Sequence, residues 1–310
     1  MRHIHQGLSA LDPQDIRPFG HLAHILKDQL YWLERGHLFT SPCVSVGITQ
    51  RFYVMLLMTA CGTPFRLKCG EFDQTVQAVA IAPGELRSVH APGIKLVSVH
   101  LNPLHDAFPA FASLHASGPL PLDRDAFVHL DATMDAAYLG ELSAETATQL
   151  HDEMASIAAQ LMPAAKKLDA RINSAMVMLR EEGDIALDEL SSRLGLSYHW
   201  MSRLFSDTVG LPLRTYCHWL KLHRATQLLL NSPALVEQVH RHGYLGAGGG
   251  PTVSLTELAH DAGFTDSAHM AHTISELCGG PLSHFLFSGN VRLHLPGKPC
   301  SAINNVNGYS

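Results

Sequence analysis

Three histidines and a glycine-glycine-proline stop fall within GFTDSAHMAHTISELCGGPLSHF, the stretch from Gly263 to Phe285. Imidazoles at this density have three chemical uses: metal ligands, an acid–base pair, or polar contacts on a helix laid along DNA. Acid–base work needs a nucleophile or carboxylate arranged with the base, and none is spaced with His199, His269 or His272. Metal binding needs a compact ligand set. His3 with His5, and His240 with His242, are HxH pairs, and His90, His100 and His105 could combine with Cys43, Cys61 or Cys69. The β-region holds no tight His-x-His run followed by a glutamate and a later histidine, so neither a metal nor another cofactor is assigned. Cys61 and Cys69 could form a redox pair, although two buried free thiols are the commoner case.

The elements that must position these residues are bounded by composition. A chain of 310 residues has room for two domains, each with its own core. Hydrophobic content of 46% and charged content of 16% describe a globular protein. No apolar run approaches the ~20 residues of a membrane span. The start, MRHIHQGLSALDPQD, lacks the basic-then-apolar order of a signal peptide, which gives a cytoplasmic expectation. Six cysteines are scattered without a CxxC pair, against a structural zinc site or a disulfide framework. A formal charge of −6 exerts no overall pull toward nucleic acid, so any DNA reading rests on a local motif.

To about Phe111 the chain reads as β. RFYVMLLMTACG, TVQAVAIAPGE and GIKLVSVHLNP are short apolar runs closed by Gly, Pro or Asn, as in a small sheet or barrel. Apolar strands such as Phe52–Met58 and Val76–Ala82 could line a small-molecule pocket or simply form a sheet core. Leu142 to Met162 has helical spacing (Leu142, Thr146, Leu150, Met154, Ile157, Leu161) and ends at Pro163. Its stripe suits either a dimer surface or packing on its own sheet. PAAKKLD is the expected linker. Beyond it the chain is helical, with a long helix opened by Pro212 and running to Leu230. The glycine-rich segment Asn231–Val253 reads as an inserted loop, and the tail from Ser288 is expected to be disordered.

This helical part contains a repeat. DELSSRLGLS (Asp188–Ser197) returns as TELAHDAGFT (Thr256–Thr265), 68 residues later, and Gly210-Leu211-Pro212-Leu213 returns 69 residues later as Gly279-Gly280-Pro281-Leu282. One extra residue just after the second turn accounts for the difference. Each copy is a short helix, a glycine turn and a second helix of about ten residues, which is the helix-turn-helix arrangement. If Met201, Leu204 and Phe205 face the core, His199, Ser202 and Arg203 share the opposite face. In the second copy Met270, Ile274 and Leu277 face inward, leaving Ser267, Ala268 and His272 outward, so that His272 stands at the place of Arg203. Two such helices can occupy successive major-groove faces ~34 Å apart.

Residues 169–287 resemble the tandem helix-turn-helix domain of the AraC/XylS family of bacterial transcription regulators. AGFTDSAHMAHT is similar to the family's glycine-phenylalanine turn followed by Ser/Ala-His. SYHWMSRLFSDTVGLP is similar to its Leu-Ser-Arg-x-Phe recognition helix, with Met201 in the leucine position. In position and texture the first half resembles the cupin-like sensor domain of many members. The resemblance implies an α+β organisation: a cupin-like sensor and dimerisation domain over residues 1–163, an all-α tandem helix-turn-helix domain over 164–287, and a tail over 288–310. It implies double-stranded DNA as partner, read by His199, Ser202, Arg203, Ser267, Ala268 and His272. It also implies a small-molecule effector in the first domain, a homodimer, and contact with RNA polymerase. The family usually has arginine at His272, phenylalanine at Met270 and Ile274, and glycine at Cys278, so these departures fall on the second copy.

Charge bears on the same copy. From Asp169 to Phe287 there are eight basic residues against twelve acidic ones, the wrong sign for a surface that neutralises phosphates. Nine histidines in that span could reverse it on protonation, giving DNA affinity that rises as pH falls from about 8 to 6. A non-enzymatic DNA-binding regulator is the reading adopted. Its rivals are a metal-binding cupin-type enzyme and a degenerate regulator acting through a protein partner.

Overall fold

The structure is a computed structural model that describes residues 28–42, 44–60, 62–163, 169–183, 185–232, 254–278 and 291–295. The linker 164–168 and the insertion beyond Ser232 lie outside the described residues, as do Cys43, Cys61, His3, His5, His240 and His242.

The described residues of the first part form ten strands: β1 (Asp28–Leu33), β2 (Gly36–Ser41), β3 (Val44–Thr49), β4 (Val54–Thr59), β5 (Phe65–Cys69), β6 (Phe72–Val76), β7 (Ala78–Ile81), β8 (Arg87–Ala91), β9 (Leu96–Leu101) and β10 (Leu120–Pro121). The apolar runs read from sequence become β4, β7 and β9, adjacent strands of a seven-stranded sheet ordered β10-β7-β4-β9-β2-β1-β11, where β11 is Val291–His294. Every residue of these three strands is buried, because both faces of the sheet are covered. A four-stranded antiparallel sheet, β3-β8-β5-β6, contributes to the same apolar core.

Helices α1 (Leu114–Ser117), α2 (Asp131–Leu139) and α3 (Ala144–Gln160) follow. Ser143 caps α3, its Oγ accepting the Thr146 amide at 3.1 Å. The buried stripe Ala147, Leu150, Met154 and Ala158 lies over β1, β2 and β9. Packing on its own sheet therefore consumes the face that could have served a dimer. Gly36 allows the closest approach. A Cβ there would stand 2.0 Å from the His100 carbonyl oxygen and 2.6 Å from His151 Nε2.

Past the linker come α4 (Ala170–Glu182), α5 (Leu187–Arg193), α6 (Tyr198–Val209), α7 (Leu213–Leu230), α8 (Leu255–Asp261) and α9 (Ser267–Cys278). This is the β-then-all-α organisation the sequence implies. One feature differs from expectation. Within the tail expected to be disordered, β11 (Val291–His294) pairs in parallel with β1. Val291 and Leu293 bury against Leu30, while His294 stacks on Tyr31 at 4.2 Å and its Nε2 donates to Gln29 at 2.8 Å. Four residues suffice because the β1 edge offers a ready row of backbone partners. The rest of the tail lies outside the described residues.

Candidate nucleic-acid interface

The two repeat copies fold into the same hydrogen-bonded turn. In the first, Gly195 N donates to Ser192 O at 3.0 Å and Leu196 N to Ser191 O at 2.9 Å. In the second, Gly263 N donates to His260 O at 2.9 Å and Phe264 N to Ala259 O at 2.8 Å. Both glycines are left-handed, with φ +65° and +86°, a conformation that ends a helix at little cost only without a Cβ. Capping then shifts by the one extra residue. Ser197 Oγ accepts the Trp200 amide at 3.3 Å, whereas Asp266 Oδ1 accepts the His269 amide at 2.7 Å.

Burial confirms the inward faces. Met201 and Phe205 are buried on α6, with Leu204 partly so; Met270, Ile274 and Leu277 are buried on α9. Among the residues predicted to read DNA, His199, Arg203, Ala268 and His272 are exposed, and Ser202 and Ser267 are partly buried. Arg203 is 72% exposed, and its Nε lies 3.9 Å from Asp207, a surface pair of little energetic weight. Sequence reasoning passed over Trp200, which leaves half its surface open beside His199, and Arg214, whose Nε donates to the Tyr198 hydroxyl at 3.2 Å. Trp200 gave a signal: it is a large aromatic off the apolar stripe of its helix.

The acidic balance is distributed unevenly. Arg171 is held by Asp169, and Arg193 by Glu182 and Glu189. Arg180 donates to Tyr216, Arg224 to the Gly183 carbonyl, and Lys221 to the Gly263 carbonyl at the second turn. Arg203 on α6 and Arg214 at the start of α7 are exposed, the first 3.9 Å from Asp207 and the second bonded to the Tyr198 hydroxyl. The histidines are uneven too. Burial lowers the pKa of His218 and His223, so each supplies less charge as pH falls toward 6 than a solvated imidazole would. His269 is a turn residue, its Nδ1 accepting the Thr265 amide at 3.4 Å and its ring edge-on to Phe264. Among the described residues, the exposed set reduces to His199, His260 and His272.

The other constellations resolve differently. His100 stacks on His37 at 4.1 Å, and Tyr53 meets both rings edge-on. Burial lowers His37 to about 3 and holds His100 well below its usual value. His105 meets Asp152 at 3.2 Å, and His151 meets the same carboxylate at 3.0 Å, a group of three potential ligands that sequence reasoning did not assemble. The Ala107 amide donates to His105 Nδ1, which places the proton on Nε2 facing Asp152, and His151 Nε2 donates to the His100 carbonyl. The group is a hydrogen-bonded strut, with both histidines holding the Asp152 carboxyl well below the usual carboxylate range. The Cys69 thiol is pushed up by burial and by Glu85, Cys217 to about 11 and Cys278 to about 12, so none is a ready nucleophile.

Among the described residues, hydrogen bonds tie the helical units to the β domain. Trp219 Nε1 donates to Phe52 O at 2.9 Å, Phe52 N donates to Leu277 O at 3.0 Å, and His115 Nε2 donates to Gly210 O at 2.5 Å. The α7 helix, the end of α9 and the cap of α6 are each engaged. A cleft of about 320 Å³ also opens at this seam, between Arg35, Leu104 and Asp106 on one side and Leu179, His223 and Arg224 on the other. Arg35 is already paired with Asp106 at 2.6 Å.

The fold and this site define a β-domain protein carrying two helix-turn-helix units. No protein-family model matches the chain, and no curated protein matches it in sequence. Among solved structures, ToxT from Vibrio cholerae O395 aligns over 80% of this chain and 94% of its own, at 9% identity and a TM-score of 0.46. The same protein bound to (E)-4-(8-methylnaphthalen-1-yl)but-3-enoic acid aligns over 83% and 97%, at 9% identity and 0.47. The AraC-like transcriptional activator CuxR aligns over 56% and 67%, at 10% identity and 0.30. No described helix is long and apolar enough to cross a membrane.

Proposed function

We propose that this protein is a sequence-specific DNA-binding transcription regulator, not an enzyme, whose β domain responds to a small molecule. The observation that carries the reading is the doubled turn: two units with the same hydrogen-bond register, each presenting the outer face of its second helix. In α6, Arg203 offers a bidentate fork to a guanine, with His199 and Ser202 beside it and Trp200 available to a thymine methyl. Arg214 and the capped N-terminus of α6 suit phosphates. In α9, Ser267, Ala268 and His272 make the weaker half, because a single imidazole replaces the guanidinium. Effector binding would shift the population of β-domain contacts that hold Phe52 against α7 and α9, and so promoter occupancy. A cytoplasmic homodimer that touches RNA polymerase completes the proposal. Genomic DNA captured by the purified protein and sequenced is the test: one enriched motif supports the reading, and recovery of bulk sequence sinks it.

A further inference from the structure

Beyond the second helix-turn-helix unit the chain returns to the β domain. Twelve residues after Cys278, β11 pairs in parallel with β1, setting Asp28 beside Val291, Gln29 beside Arg292, Leu30 beside Leu293 and Tyr31 beside His294. The alternation of side chains along a strand gives β11 two working faces. On one face Val291 and Leu293 bury with Leu30, and Trp32, Phe39 and Leu229 pack around them. Leu229 belongs to α7, so this face meets the helix that joins the two units. On the other face His294 stacks on Tyr31 and bonds Gln29 beside the end of α2. There the Tyr31 hydroxyl donates to the Ala137 carbonyl at 2.9 Å, and a Cβ on Gly140 would stand 2.7 Å from Gln29 Oε1 and 3.6 Å from His294 Cε1. The strand is held between the β domain and the helical part.

The second unit is therefore fastened at both ends. Ahead of it Trp219 of α7 holds the Phe52 carbonyl, at its close Leu277 O accepts the Phe52 amide, and past it the chain is pinned again at β1. Two recognition helices engage one duplex only when their separation matches the groove repeat of ~34 Å. A unit tied to the β domain on both sides cannot adjust that separation. The seat of β11 is nevertheless weak. It spans four residues, and its apolar cluster of Leu30, Val291 and Leu293 stands apart from the main core. It also buries Gln29 and His294, and the Nδ1 of His294 is shielded with no partner among the described residues. An unpaired buried polar atom disfavours the docked state, and a short edge strand opens more readily than a core strand.

We propose that β11 is an autoinhibitory strap: docked on β1 it keeps the second unit from the spacing that DNA requires, and its release lets that unit engage. Only the edge of one sheet opens, while α6 and the β domain keep their own contacts. The effect on DNA rests on the proposed function; the docking of the strand does not.

The test compares the full-length parent with two full-length variants, in hydrogen exchange at β1 and in affinity for the motif recovered by genomic capture. Leu293→Asp places a carboxylate in the apolar cluster and frees the strand. Amides of Asp28–Leu33 should exchange faster, and motif affinity should rise at least fivefold, as removal of a predominant closed state requires. Asp28→Cys with Val291→Cys, partners in the register, locks the strand when oxidised. The locked chain should bind the motif at least fivefold more weakly than the parent and recover with dithiothreitol; this pair decides the matter should Leu293→Asp fail to fold. Faster β1 exchange with motif affinity unchanged or lowered, or a lock whose reduction leaves affinity unchanged, overturns the strap while leaving the DNA-binding reading intact. Absence of sequence preference in all three proteins rejects that reading, and the strap's regulatory role with it.

Discussion

Trp219 and Phe52 lie 167 residues apart and share a 2.9 Å hydrogen bond, from the indole N–H to the backbone carbonyl. The Phe52 amide donates in turn to Leu277 O, so one residue of the β domain touches both the connecting helix α7 and the last helix of the second unit, α9. Replacing Trp219 by Phe keeps an aromatic ring near Tyr53 but strands the carbonyl. The expected cost is about 1–2 kcal/mol, read as a lower urea midpoint. An unchanged midpoint would mean that the seam contributes nothing to stability.

The reading helices are predicted to be unequal. Arg203→Ala should weaken binding to the preferred sequence by ~1–3 kcal/mol and relax one base position, whereas His272→Ala should change affinity less. Competition titrations with single-base variants of the recovered site measure both. Equal losses would remove the distinction drawn between α6 and α9.

Stability is predicted to fall with acid. In the folded state His37 is lowered to about 3, His294 to about 4 and His100 well below its usual value, each chiefly by burial. The unfolded chain therefore binds protons that the native state refuses. Their contribution is fully present above pH ~6.5 and is lost as pH falls toward the folded values, at about 1.4 kcal/mol per pH unit for each histidine. Asp152, also lowered, adds a loss of the same sign near and below pH ~4. Urea midpoints from pH 7.5 to 4.5 should drop, and His37→Phe should flatten the slope by about one proton.

Two glycines should respond very differently to alanine. Gly195 has open space around its missing Cβ, so Gly195→Ala pays only for the left-handed backbone, about 1 kcal/mol. Gly36→Ala drives a methyl onto the His100 carbonyl and should cost roughly 3 kcal/mol or more. Thermal melts of the two variants check the order.

The molecule was legible where its signal is local. β4, β7 and β9 announce themselves because both faces are buried and their runs are almost purely apolar, and the repeat exposes both turns through Gly195 and Gly263. Strands such as FRLKC and FDQTV are polar on one side or at the sheet edge, so their composition resembles a loop. β11 is too short for a periodicity. Arg87 looks like a surface residue in a sequence, and only the packing of the sheets buries it; the same non-locality hides His105 with His151 and Asp152. On α6, the helical stripe placed His199 and Arg203 outward, and Trp200, standing off that stripe, was a signal left unused.

Sequence-selective DNA binding is the central claim, and a fluorescence titration tests it most directly. The motif recovered from genomic capture is set against a scrambled duplex of equal length at fixed salt and pH, for the parent chain and Arg203→Ala. Preference for the motif of at least a hundredfold in the parent, falling at least fivefold in the variant, is the predicted result. Equal affinity for motif and scrambled duplex, or a preference that Arg203→Ala leaves intact, would contradict it.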